Sequence, residues 1–273
     1  MIAFPPMAGE GLETIRYGTS DGLATITLAR PDKRNALNAS MFRELGDAAQ
    51  RAADDPAVRA VLVRSDGPTF CAGIDLAVMG DLAGLASSGE EGFGEFVSIA
   101  QRPFRTLALM PKPTLAAVQG QALGAGFQLA LACDLRVAGH DVKFGMLEAR
   151  YGLIPDLGGM HHLARLIGPA RAKELVWTTR TVEAEEAERI GLANRVVPVE
   201  RLEESASELL QAVMAHSPTA VRLSKGLITR AHETPLQEEL ELEAEAQSET
   251  LRGDDHRESV AAFLEGRTPR FGP

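Results

Sequence analysis

Two glycine-rich segments hold the residue types best suited to chemistry. One is Phe70–Leu76 (FCAGIDL), which follows a strand-like run at Ala60–Arg64. The other is Gln119–Asp134 (QGQALGAGFQLALACD), which follows a second run at Pro113–Val118. In the latter, Gly120, Gly124 and Gly126 lead into an apolar stretch of helical character. The order strand, glycine turn, helix start leaves backbone N–H groups unpaired at a helix N-terminus, and glycine lets a ligand approach the backbone. Two such donors, from separate segments and aimed at one oxygen, would make an oxyanion hole. Tight turns with close packing satisfy the same spacing. Downstream, Glu148 lies in FGMLEAR with Phe144, Met146, Leu147 and Tyr151 around it. An apolar setting raises a carboxyl pKa and suits proton transfer; pairing with Lys143 or Arg150 in solvent is the alternative. Eight residues on, Asp156 precedes HHLARL and fits a helix N-cap.

The elements that position these groups alternate in the first half of the chain. Leu12–Tyr17 and Leu23–Ala29 read as strands joined by a turn over Gly18–Gly22. Asn38 or Ser40 can cap a helix running to about Ala53, ended by Asp54–Pro56. Ala83–Gly94, rich in Gly, Ser and Ala, reads as a mobile loop, with a helix resuming from there to Leu109. Gly124–Cys133 reads as a helix and Leu135–Ala138 as a strand. From about Gly158 the pattern is helical almost throughout, over Ala170–Thr178, Glu183–Ile190, Val199–His216, Pro218–His232, Leu236–Leu251 and Ser259–Leu264. The expected architecture is an α/β core followed by a helical layer.

With 273 residues, 45% of them hydrophobic and 24% charged, the chain can bury a large core. Its net charge of −10 argues against non-specific nucleic-acid binding, while a local basic cluster could still hold a phosphorylated small molecule. Cys71 and Cys133 lack metal-ligand spacing, and two thiols in a chain this long suggest a reducing compartment, here the cytoplasm. No apolar run approaches the ~18 residues of a membrane span. The opening MIAFPPMAGEG lacks the pattern of a secretory signal and reads as a loose extension. His161 and His162 have no accompanying ligand set and read as helix-surface residues; no metal is expected.

Taken together, RPDKRNALN (Arg30–Asn38), FCAGIDL (Phe70–Leu76), GQALGAGFQLALACDLRVAG (Gly120–Gly139), FGMLEARYGLIPDLGG (Phe144–Gly159) and AAFLEGRTPRF (Ala261–Phe271) resemble the enoyl-CoA hydratase/isomerase, or crotonase, superfamily from about Ile15 to Phe271. The resemblance implies the ClpP/crotonase-like spiral of repeated ββα units with a C-terminal helical region. It implies a division into residues 1–11 (flexible extension), 12–205 (spiral core) and 206–273 (helical trimerisation region). It implies an acyl-CoA thioester as ligand, with no cofactor beyond the coenzyme A of the substrate, and a homotrimer or dimer of trimers. By the same resemblance, Ile74 and Ala125 supply the oxyanion-hole amides and Glu148 exchanges protons with the substrate. Arg30, Lys33 and Arg34, with Ala72, Asp75, Leu76 and Gly124, border the coenzyme A. Phe263, Arg267 and Arg270 in the tail close over it.

The chain departs from the hydratases of that family at two positions. Gln128 stands where they carry a second glutamate, and a neutral amide orients water but cannot deprotonate it. Asp156 stands where they carry glycine; the dienoyl-CoA isomerases carry an aspartate there, which makes Asp156 a candidate second proton carrier or a charge that raises the Glu148 pKa. The expected function is therefore proton transfer on an enoyl-CoA through a stabilised enolate, by Glu148 with Asp156 and Gln128, isomerase-like rather than hydratase-like. An enoyl-CoA hydratase with altered substrate and a non-catalytic acyl-CoA-binding protein are the alternatives.

Overall fold

A computed structural model describes residues 12–87 and 89–272, giving the backbone alone at 81–83, 85–87 and 89–93. The expected extension at residues 1–11 lies outside the described residues. A hairpin of β1 (Ile15–Ser20) and β2 (Leu23–Leu28) comes first. Its turn is Asp21–Gly22 alone, with φ of 51° and 79°. Such a turn needs only two residues in the left-handed region, and Asp-Gly supplies both, so β1 continues through Gly18, where the turn was expected to open. Then follow α1 (Ala39–Asp54), β3 (Ala60–Ser65), α2 (Leu76–Ser87), α3 (Gly89–Leu109), β4 (Thr114–Val118), β5 (Gln121–Leu123), α4 (Ala125–Ala132), β6 (Leu135–Gly139) and β7 (Lys143–Gly145). The second half holds α5 (Gly159–Ile167), α6 (Pro169–Thr178), β8 (Thr181–Glu183), α7 (Ala184–Arg189), β9 (Arg195–Val197), α8 (Leu202–Met214), α9 (Pro218–Arg230), α10 (Leu236–Arg252) and α11 (Asp254–Glu265). Asn38, not Ser40, caps α1: its side chain accepts the Met41 N–H at 2.8 Å.

Six strands form one sheet in the order β1-β2-β3-β4-β6-β9, parallel from β2 onward. Helices cover both faces, which is why β4 is buried at every position and β3 at all but Arg64. On one face α1, α3 and α4 build the main core around Phe42, Leu45, Phe104, Phe127 and Leu129. On the other, Leu202, Ala206 and Leu210 of α8 meet Leu23, Leu62, Leu115 and Val137. The expected division after residue 205 therefore falls inside α8, a single helix packed on the sheet.

A second sheet, β5-β7-β8, stands beside the first. Cys71 bridges to Ala122 and Ile74 bridges to Leu37, so the 71–74 segment is laced between β5 and the loop before α1. The bonds are Cys71 N–H to Gln121 O (3.0 Å), Leu123 N–H to Cys71 O (3.0 Å) and Leu37 N–H to Gly73 O (2.8 Å). β8 and β9 fall between the expected helices, in a region read as almost all helical; three-residue strands are too short to show an alternating pattern. The expected loop at Ala83–Gly94 is helical in backbone on both sides of residue 88. Helix-forming Ala, Leu and Glu outweigh the scattered glycines there, each costing about 1 kcal/mol relative to Ala.

The last three helices contrast with the core. No residue of α9 is buried, and among the described residues of α10 and α11 only Glu239 and Ala262 are. Ile228, Leu236, Leu251, Phe263 and Leu264 are exposed large apolar side chains.

The tightest constraint on the seat of α4 is Gly126, where a Cβ would lie 2.3 Å from Cys71 O and 2.7 Å from Cys71 Cβ. Gly126→Ala is expected to lower unfolding stability by about 3 kcal/mol, since α4 or the laced 71–74 segment must move. Urea denaturation would measure this, and a loss under about 0.5 kcal/mol, the scale of an inert surface change, would contradict the packing described.

Candidate active site

The two glycine segments of the sequence meet. Gly73 has φ of 105°, and a Cβ on it would sit 3.0 Å from Leu123 O and 3.9 Å from Ala125 N. Gly124 has φ of 51° and ψ of −121°, a conformation open to glycine alone. It ends β5 and starts α4 in one step, with its own N–H donated to Gly145 O at 2.7 Å. The N–H groups of Ile74 and Ala125, one on each adjoining turn, donate to no acceptor among the described residues. Two unpaired amides so placed can hold a single oxygen that gains negative charge.

Glu148 lies beside them. It opens the short 3-10 turn Glu148–Tyr151 after β7. A Cβ at position 124 would lie 3.4 Å from its Oε1, so the bare glycine leaves the carboxylate room against the start of α4. Phe144 on β7 and Met146 just after it are fully buried, whereas Tyr151 is 56% exposed and is not part of the apolar setting. The solvated alternative for Glu148 does not hold. Lys143 pairs with Glu183 at 3.2 Å, and Arg150 reaches Thr179 Oγ1 at 3.4 Å. Burial raises the Glu148 pKa above its usual value; hydrogen bonds from main-chain groups and Gln128 oppose this, and the nearby Asp156 charge adds to it.

Gln128, on the first full turn of α4, is buried and fully committed. Its Nε2 donates to Glu148 Oε1 at 2.8 Å. Its Oε1 accepts the N–H of Leu157 at 3.0 Å and of Gly159 at 3.1 Å. Glu148 Oε2 remains buried with no partner among the described residues. A Cβ at Gly159 would lie 2.5 Å from Gln128 Cγ, so α5 starts with glycine because Gln128 occupies the space.

This arrangement corrects the helix-cap reading of Asp156. α5 begins at Gly159 after Gly158 (φ 87°), with no side-chain cap from its own loop. The first amide of the helix, on Gly159, and that of Leu157 before it are taken by Gln128 from another helix, and Asp156 caps neither. Asp156 is an exposed residue, yet its carboxyl is partly desolvated, which raises its pKa. Gln101 of α3, absent from the sequence-based set, donates from Nε2 to the Asp156 carbonyl at 2.6 Å.

The residues expected at the coenzyme A divide into two groups. Arg30 is engaged within the protein: both terminal guanidinium nitrogens reach Asp75 Oδ2 at 3.1 Å. Asp75 also accepts the Ala77 N–H, and these contacts, with the Lys33 charge, hold its carboxyl below the usual range. Lys33 and Arg34 are exposed on the same loop, next to Ala72, whose N–H donates to Arg34 O at 3.0 Å, and near the 80% exposed Leu76. Asn35, which sequence reasoning missed, is buried at φ 54° and holds the loop: it accepts the Arg30 N–H and donates to Asp66 O and Thr69 O. The available signal was its type, since Asn tolerates the left-handed region better than most residues. In the tail, Arg267 is occupied by Glu258 and Glu265, and Phe263 is 84% exposed. His161 and His162 pack edge to face at 5.3 Å, and burial pushes the His162 pKa down to about 4, leaving it neutral. Among the described residues no group of three or more His, Cys, Asp or Glu is placed to hold a metal, and no helix is long and apolar enough to cross a membrane.

The chain resembles known proteins over nearly its full length. Residues 18–273 match the family model described as enoyl-CoA hydratase/isomerase. A crotonyl-CoA hydratase of Syntrophomonas wolfei is 36% identical over 260 residues, covering 95% of this chain and 98% of that protein. The crystal structure of an enoyl-CoA hydratase from Bacillus anthracis superposes with a TM-score of 0.87 at 34% identity, over 95% of this chain and 99% of the other. A Thermobifida fusca protein solved in complex with acetoacetyl-CoA gives a TM-score of 0.81 at 35% identity, over 87% of this chain and 94% of the other. The chain belongs to the enoyl-CoA hydratase/isomerase family of enzymes and has the crotonase fold.

Proposed function

We propose that the protein binds an acyl-CoA thioester and shifts a double bond along its acyl chain, with Glu148 as the base that acts at Cα. The observation that carries this is the bonding of Gln128. Its carbonyl oxygen already accepts two N–H groups, which fills both lone pairs, and its amide cannot take a proton at ordinary pH. A water molecule on the Gln128 side would find a donor and no base. Glu148 Oε2, buried and unpartnered, is the atom free to act.

In this reading the thioester oxygen sits between the Ile74 and Ala125 amides. Glu148 Oε2 takes a proton from Cα, the C–H pair moves into a C=C–O⁻ enolate, and the two amides stabilise the new charge. Losing one such donor typically costs ~2.7–4 kcal/mol. Glu148 then returns the proton at Cγ, so mass is conserved and the double bond has moved. Asp156 serves as a second proton carrier for more remote carbons. The coenzyme A lies along Ala72, Asp75, Leu76 and Gly124, with Lys33 and Arg34 at its phosphates; Arg30 acts through Asp75 by shaping the loop. No cofactor beyond the coenzyme A of the substrate is required. Assembly as a homotrimer, or a dimer of trimers, is supported by the large apolar side chains exposed on α9, α10 and α11. Water addition is the second reading, favoured by relatives that carry hydratase names.

Incubation with 2-enoyl-, 3-enoyl- and dienoyl-CoA, read by mass and NMR, separates these readings. A moved double bond at constant mass is expected as the main product; faster gain of one water would replace isomerisation by hydration as the function. Glu148→Gln should lower kcat about 10³-fold and leave thioester binding nearly unchanged; a variant that turns over at the parent rate would remove Glu148 from the mechanism. Because Glu148 must be ionised to act and its pKa is raised, kcat/KM should fall with acidification at a pH above the usual carboxylate range. Asp156→Asn removes a like charge and should move that acid limb to lower pH; an unmoved limb would show that the two carboxyls do not interact.

A further inference from the structure

The turn that bears Asp156 is not shaped by its own sequence. Glycines flank it at 152, 158 and 159, with φ of 71° at Gly152 and 87° at Gly158, so local preference leaves it many conformations. Its main chain is instead held from two helices. Gln128 of α4 binds the amides of Leu157 and Gly159, immediately after Asp156. Gln101, about two turns before the end of α3, binds the Asp156 carbonyl itself. The carboxyl meets only its own main-chain N–H and no other side chain among the described residues, so its place depends on those main-chain anchors.

We propose that Gln101 and Gln128 form a two-sided amide clamp that sets the distance from the Asp156 carboxyl to Glu148, and that Gln101 is a positioning residue for the second carboxyl. The function assigned to the clamp rests on the proton-transfer reading above. The two glutamines are not equivalent. Gln128 also holds Glu148 Oε1, so its loss disturbs both carboxyls, whereas the hydrogen bond of Gln101 goes to the Asp156 main chain. The spacing of the two acids is thus inherited from the packing of α3 and α4. A side chain some fifty residues before Asp156 in the chain decides where that acid stands.

The test is a titration of Glu148, followed by ¹³C carboxyl NMR on glutamate-labelled protein and assigned with Glu148→Gln. It compares the parent, Asp156→Asn, Gln101→Leu and the double variant, with thermal unfolding as the check on folding. Asp156→Asn should lower the Glu148 pKa. Gln101→Leu should lower it in the same direction, and the double variant should go no lower than Asp156→Asn alone. A Glu148 titration unmoved by Gln101→Leu, or equal additive shifts in the double variant, would overturn the clamp. The readout needs no turnover. A failed isomerase assignment would appear in the product assay and leave this titration interpretable.

Discussion

One amide side chain organises the site. The Gln128 carbonyl accepts two backbone N–H groups, from Leu157 and from Gly159 at the start of α5, and this leaves its amide group only one orientation. Its N–H must then face Glu148, so one carboxylate oxygen is occupied and the other is not. A buried polar network of this kind is stable only when its members are satisfied. The single unsatisfied member, Glu148 Oε2, is where a ligand can enter the network. Burial, more than any charge, sets the proton affinity of that carboxyl.

Close main-chain approaches supply the frame around this network. The 71–74 segment is laced to β5 on one side and to the loop before α1 on the other, and Gly126 lets α4 lie directly on Cys71. Two free amides therefore come from separate stretches of chain whose relative position is fixed by hydrogen bonds between them. Such preorganisation is what makes fixed donors effective toward developing charge, since they need not reorient as it forms.

Much of this was readable from residue types alone. The hairpin, an α1 cap at Asn38 or Ser40, five strands of the main sheet and the approach of FCAGIDL to the GQALGAG turn follow from local patterns and from motif order. The misreadings of single site residues share a physical cause, because each concerns a group whose partner is distant in sequence. Asp156 satisfies the local statistics of an N-cap, but a side chain from α4 took the first amide of the helix. Arg30 looks like a free cation until Asp75 folds against it. Gln101 shows no signal at all, since nothing in its own neighbourhood marks the carbonyl it binds. Three-residue strands such as β5 and β8 exist because of their neighbours and have too few positions to announce themselves.

A last consequence concerns Asp134, which lies between α4 and β6. Its Oδ2 accepts the Thr114 N–H and hydroxyl and also pairs with Lys225 of α9 at 2.7 Å. One oxygen thus ties the entry of β4 to the C-terminal helices, which otherwise bury little in the protomer. Were α9 to detach, Thr114 would still be satisfied, but the carboxylate would lose its cation while the sheet beneath stayed intact. The C-terminal helices are in this sense fastened to the sheet by one partly buried cation, Lys225, which also donates to Lys112 O at 2.9 Å.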